Sequence, residues 1–137
     1  MAGSASDYAE NKIAELIVGK TAFALPTVWV ALCTSAPGEA GSAAAIAEVP
    51  DANAYARKST TGSDWTTAVA GAISNAAAIT FVQASGSWGT VTHFALVDSG
   101  TWGTGHVLAW GDLTTPKAIT LGDTPQFAIG ELDITVT

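Results

Sequence analysis

The chain has 137 residues, a formal net charge of −7, and 12% charged residues against a usual ~25%. Its Lys and Arg number five, with none in residues 59–116, so it lacks the clustered cations that a phosphate backbone or an anionic membrane surface requires. Nucleic acid and membrane are thereby excluded as partners, and the length fits one domain with a core of its own.

A small domain with few charges and many Ala, Gly and Thr residues presents a surface that partners tend to cover. Cys33 is the single cysteine and sits in an apolar run, which reads as a buried, inert thiol. The opening MAGSASDYAENK carries neither a basic stretch nor a long apolar one, so no signal peptide is expected. No apolar run approaches the ~18 residues of a membrane span. The expectation is a soluble protein made in a cytoplasm.

Taken in order, the first element is a helix. Ser6 or Asp7 can cap it, and Asp7 with Glu10 fits a capping box. Ala9, Ile13, Leu16 and Ile17 fall at i, i+4, i+7 and i+8, one apolar stripe. Gly19 is a good stop. The pattern predicts a helix over residues 8–18, within an N-terminal arm of residues 1–20 ahead of a β domain of residues 21–137. A helix of about three turns is marginal alone in water, so something must cover its stripe. An open end of the sheet and a neighbouring subunit both fit, and docking at a subunit contact is the expectation.

Residues 27–34, TVWVALCT, set Val28, Val30 and Leu32 against Trp29, Ala31 and Cys33, a strand buried on both faces. Residues 41–54 are Ala-rich, contain Pro50 and Asn53, and read as a long surface loop. Residues 55–59 read as a short, half-exposed strand, and residues 78–82 as another. Residues 87–113 organise the chain and hold three of its five tryptophans. In them Val91, His93, Ala95 and Val97 alternate with Thr92, Phe94 and Leu96, and Val107, Ala109 and Gly111 alternate with His106, Leu108 and Trp110. This is a hairpin with two apolar faces joined by a Gly-rich loop. Strands follow at residues 117–121, 126–129 and 132–136, interrupted by Pro116 and Gly130. Turns roughly every 8–12 residues point to an antiparallel β-sandwich of about seven or eight strands preceded by one helix.

Chemistry is hard to find. His93 and His106 would need a third ligand, Asp98 or Asp112, to hold a metal. A satisfied strand histidine and a turn histidine are the plainer reading. Asp98, Asp112, Asp123 and Asp133 each adjoin Gly, Ser or Thr and suit Asx turns. There is no G-x-S-x-G, and the glycines at 100, 103 and 105 are not followed by a helix that would cradle phosphate. No catalytic residue, metal or cofactor is expected. Trp29 and Trp110 sit in strands and belong in the core. Trp65 and Trp102 lie in polar loops, where an aromatic ring either packs over an open end of the sandwich or meets a sugar or protein partner. Ala9, Ile13, Leu16, Ile17, Trp65 and Trp102 are the candidate interface residues.

Several stretches carry a resemblance: DYAENK at 7–12, PTVWVAL at 26–32, YAR at 55–57, Ser74-Asn75, Phe81, WGTVTHF at 88–94, Gly122-Asp123 and FAIGEL at 127–132. Across nearly its whole length the chain resembles a family of small structural proteins of tailed bacteriophages, often labelled tail-fibre-like. The resemblance implies a non-enzymatic virion component, with the major capsid protein or a tail protein as partner. A fibre shaft needs heptads, collagen-like triplets or repeated β units, and none occurs. One small domain with a helical arm suits a capsid decoration or cement protein, self-associated as a homotrimer. A tail-associated or fibre-tip protein is the second reading. A carbohydrate-binding sandwich using Trp65 or Trp102 is the third.

Overall fold

The computed structural model describes residues 1–136. Among them the elements run β1 (Ala2–Ala5), α1 (Asp7–Ile17), β2 (Val28–Cys33), β3 (Lys58–Thr60), β4 (Ala72–Ser74), β5 (Ile79–Thr80), β6 (Gly89–Val97), β7 (Val107–Ile119), β8 (Gln126–Phe127) and β9 (Asp133–Thr135). Seven strands form one sheet in the order β3-β2-β6-β7-β1-β9-β4, and β5 pairs with β8 in a second, small sheet. The fold is mainly β and sandwich-like with a single α-helix, as the turn spacing predicts. The pairings are antiparallel except β1 with β9.

The helix is not the first element. Strand β1 precedes it and lies between β7 and β9, with Gly3 opposite Gly111. AGSA has no strand signature because it has almost no side chains to pack. The lack of side chains is what admits it. A Cβ on Gly111 would run into the Ala2 carbonyl, and one on Gly3 would come within 2.8 Å of the Trp110 carbonyl oxygen.

Ser6, rather than Asp7, is the N-cap. Its hydroxyl accepts from the Ala9 N–H at 3.3 Å and donates to the Val107 carbonyl, while its own N–H bonds the Leu108 carbonyl at 2.9 Å. The helix start is thereby fixed to β7. At the other end Gly19, at φ +71°, closes a Schellman turn. The Lys20 N–H reaches the Glu15 carbonyl at 2.8 Å, and the Gly19 N–H the Leu16 carbonyl at 3.1 Å.

The β6–β7 hairpin is central, paired with β2 on one side and β1 on the other. Both faces are buried, but unequally. Val30, Leu32, Phe94 and Leu96 join Trp88, Phe81, Phe127, Ile119 and Leu132 in the main core. The opposite face is built of Ala31, Cys33, Ala95, Val97 and Val107, packed with Ala43. Simple alternation puts Val91 with Ala95 and Val97. Register shifts at Val91/His93 and Leu96/Val97 instead turn Val91 into the main core and separate Val107 from Ala109. At the first shift residues 113–116 stand opposite Thr92 alone. Pro116, which cannot donate to a ladder, falls in that bulge, so the two strands expected at either side of it run on as one.

Trp88 is the fully buried tryptophan, with its Nε1–H on the Asn53 carbonyl at 2.8 Å; Trp29 and Trp110 are only half-buried, on the small-residue face. Asn75 is completely buried and fully satisfied. Its Nδ2 donates to the carbonyls of Ala77 (2.8 Å) and Ala128 (2.9 Å), and its Oδ1 accepts from the Leu132 N–H (2.9 Å).

Candidate functional site

The predicted interface stripe on α1 divides in two. Ala9 is buried inside the chain itself, on the turn that Ser6 anchors, and Ile13 is half-buried. Beyond them the helix is uncovered: Leu16 is 49% exposed and Ile17 77%, and Val18 follows at 75%. In the irregular segment after it Leu25 is 99% exposed. Sequence reasoning missed Val18 and Leu25. The signal available was an apolar residue beside Pro26, in a segment with no strand or helix to bury it.

Trp65 is half-buried against the main core, its Nε1–H on the Thr60 hydroxyl at 3.1 Å. Trp102 is 44% exposed at the tip of the β6–β7 loop, and its Nε1–H is held by the Val49 carbonyl at 2.8 Å. The two tryptophans do not share one surface feature: Trp65 seals the core and Trp102 stands out of a loop.

Beneath Trp102 lies a feature that sequence reasoning missed. Glu48 and Arg57 form a bidentate ion pair, Arg57 Nη2 to Glu48 Oε1 at 2.7 Å and Nε to Oε2 at 2.8 Å, with both side chains almost wholly out of solvent. Tyr55 donates to Glu48 Oε2 at 2.7 Å and accepts from the Leu32 N–H at 3.1 Å. Arg57 Nη1 donates to the Ser99 and Thr104 carbonyls at 2.8 and 2.9 Å. One guanidinium thus joins the 41–57 segment to the 98–106 loop. Residues 41–54 are therefore not a surface loop throughout: Ala43, Glu48 and Val49 are buried. Tyr55 and Arg57 are turned inward, and the strand expected at 55–59 begins only at Lys58, running Lys58–Thr60. Arg57 is the single arginine of the chain, two residues after Tyr55, so an extended backbone points both the same way. That pattern was the available signal.

Burial, and secondarily the Glu48 carboxylate, pushes the Cys33 thiol up to about 12, so it is neutral and unreactive. The same two causes, in the same order, raise Tyr55 far above the ordinary phenol range, which keeps its proton on the bond to Glu48.

The two histidines pair separately, His106 Nδ1 with Asp98 Oδ2 and His93 Nε2 with Asp112 Oδ1, each at 3.0 Å. The His106 ring also stacks on Tyr8 of α1, centroids 4.0 Å apart. Among the described residues no group of three or more His, Cys, Asp or Glu is placed to hold a metal. A cleft of about 370 Å³ lies over Val91, Leu113, Ile119 and Phe127, with Lys117 and Asp123 in its walls. Its lining contains no His, Cys or Ser; its hydroxyl and charged groups are Thr115, Lys117, Asp123 and Thr124.

The chain thus combines a sheet scaffold with a run of exposed apolar side chains at the end of α1 and a hydrogen-bonded aromatic loop. No curated protein matches the sequence. A protein-family model does match, over residues 4–135 and so over nearly every element described above. The chain belongs to the family described as Podophage GP4 fiber I protein gp80, a tail-fibre-like family of structural proteins of the tailed-phage virion.

Proposed function

We propose that this chain is a non-enzymatic, self-associating unit of the fibre apparatus on a phage tail, assembling as a homotrimer against a tail protein. The observation that carries this reading is the run of uncovered apolar side chains at the end of α1 and in the segment after it, Leu16, Ile17, Val18 and Leu25, beside the exposed Val69, Leu121 and Ile129 elsewhere on the chain. The fibre description of the family supports the tail over the capsid. One small domain without shaft repeats suits a junction or tip rather than a shaft. Capsid decoration, in which the same unit would act as a cement protein against the major capsid protein, is the competing reading. Quantitative mass spectrometry of purified virions separates the two: copies in the low tens or fewer fit a tail location, and hundreds fit decoration. Immunogold labelling of the same particles gives the position directly, and label spread over the head would overturn the tail reading.

A further inference from the structure

We infer that the loop of residues 98–106 carries a carbohydrate-binding subsite, with the Trp102 indole as a stacking platform for an uncharged pyranose ring. This inference needs no particular position on the particle and stands on observations separate from the α1 surface.

The first observation is rigidity. Trp102 sits in a loop that ought to be mobile, yet its ring nitrogen and the backbone on either side of it are both held. Its Nε1–H is spent on the Val49 carbonyl, and the flanking carbonyls of Ser99 and Thr104 are held by the buried Arg57 guanidinium. The Ser99 and Thr104 hydroxyls bond each other at 2.7 Å, and the Ala43 N–H bonds the Gly105 carbonyl at 3.0 Å. A ring presented this way costs little entropy to use in binding.

The second is what surrounds the ring. Its loop, DSGTWGTGH, contributes no other large apolar side chain, and Pro50 and Asp51, just after the anchoring carbonyl, are exposed. A protein-binding hot spot is ringed by further contacts that exclude water. Here an isolated aromatic face stands among hydroxyls and one carboxylate. That matches a sugar ring, which offers an apolar C–H face and a rim of hydroxyl groups. Val49, whose carbonyl holds the indole, and the adjoining Pro50 also line a groove of about 400 Å³, although Trp102 itself is not in its walls.

The third is charge. The net charge is −7, residues 59–116 contain no Lys or Arg, and the Arg57 guanidinium is fully engaged within the chain. Anionic sugars find no free cation in this loop, so the ligand is uncharged.

The test is a set of titrations of the full chain, followed by ¹H–¹⁵N spectra, in which the five tryptophans give five indole signals. The probes are maltohexaose, cellohexaose, mannohexaose and chitohexaose, with polygalacturonate as the anionic control. The Trp102 signal is assigned by its loss in Trp102→Phe. The expected result is that at least one uncharged probe shifts the Trp102 indole and the Thr101 and Gly103 amides. Trp102→Ala should then bind roughly ten-fold more weakly or worse, while Trp102→Phe, which keeps an aromatic face, stays within a few-fold. Melting temperatures of both variants show whether the scaffold survives. Three results would each overturn the inference: no uncharged probe moves the loop at tens of millimolar, the shifts persist in Trp102→Ala, or polygalacturonate alone binds.

Discussion

Two regions of this chain depart from the polar-out, apolar-in rule, in opposite directions. Around Arg57, charges are buried: a guanidinium and a carboxylate lie within the protein with every nitrogen and oxygen of the pair hydrogen-bonded. Around Leu25, apolar side chains stand in water: the end of α1 and the segment after it leave four of them uncovered. The contrast shows what each departure is for. Buried charge that is fully satisfied fixes one arrangement of two loops, because any other arrangement strands an ion. Exposed apolar surface gains nothing within the monomer and has value only when something else covers it.

The contrast is broken most directly at Arg57. Arg57→Ala leaves the Glu48 carboxylate buried without its counter-ion, and stability should fall by about 3–5 kcal/mol, a large share of what a small domain has. The midpoint of urea unfolding reads this. The double variant Glu48→Leu with Arg57→Met removes both charges and should recover most of the loss, as replacement of buried pairs by apolar groups often does. If the double variant is as unstable as the single one, the guanidinium's bonds to the Ser99 and Thr104 carbonyls, rather than the ion pair, hold the region together.

A smaller effect sharpens the same side of the comparison. Cys33 lies beside Glu48 across an isolated bridge, and burial first, then that carboxylate, raises its thiol from 9.0 to about 12. Below pH 9 the thiol is protonated in both folded and unfolded chains and contributes no pH dependence. Between pH 9 and 12 the unfolded chain releases its proton while the folded chain holds it, so stability falls by up to about 1.4 kcal/mol per pH unit. Tyr55, raised as well, adds a loss in the same direction at the upper end of that range. Unfolding midpoints at pH 8 and pH 10.5 should therefore separate more in the wild type than in Cys33→Ala. Equal separations would show that Cys33 is not shielded in the way its surroundings imply.

How much of this was legible follows from what each feature is made of. The β6–β7 hairpin, β2, β9 and α1 announced themselves through period-2 and period-3.6 patterns of large apolar residues. Strand β1 did not, because Ala2, Gly3, Ser4 and Ala5 pair through backbone alone, in a space that Gly111 leaves open. The Val91 face change came from a bulge, which a pattern of alternation cannot show. The ion pair's role was not legible beyond the Tyr55–Arg57 spacing, because Arg57 meets the Ser99 and Thr104 carbonyls of the 98–106 loop some forty positions away. Of the candidate interface, Ile17 stands out into solvent, Leu16 and Trp102 are about half uncovered, and Ala9 turned inward because Ser6 ties that end of the helix to β7.

The smallest change in stability is expected where the chain looks least like a folded protein. Ile17→Lys and Leu25→Ser replace side chains that are mostly or wholly exposed, so each should alter the unfolding free energy by no more than about 0.5 kcal/mol. Removing residues 1–19 would not isolate this surface, because it also takes out β1, which joins β7 to β9. The point variants leave β1, Ser6 and the helix caps in place. Their expected consequence is in assembly: sedimentation velocity should show the proposed trimer for the wild-type chain and monomer for the variants at the same concentration. Under the contrast drawn above, Arg57→Ala changes folding and Ile17→Lys with Leu25→Ser changes association, and neither does the work of the other. If the doubly substituted chain keeps its trimer, the bare apolar surface faces a different virion protein. Retention by an unsubstituted virion partner of the wild-type chain but not of the variant would then identify it as that contact.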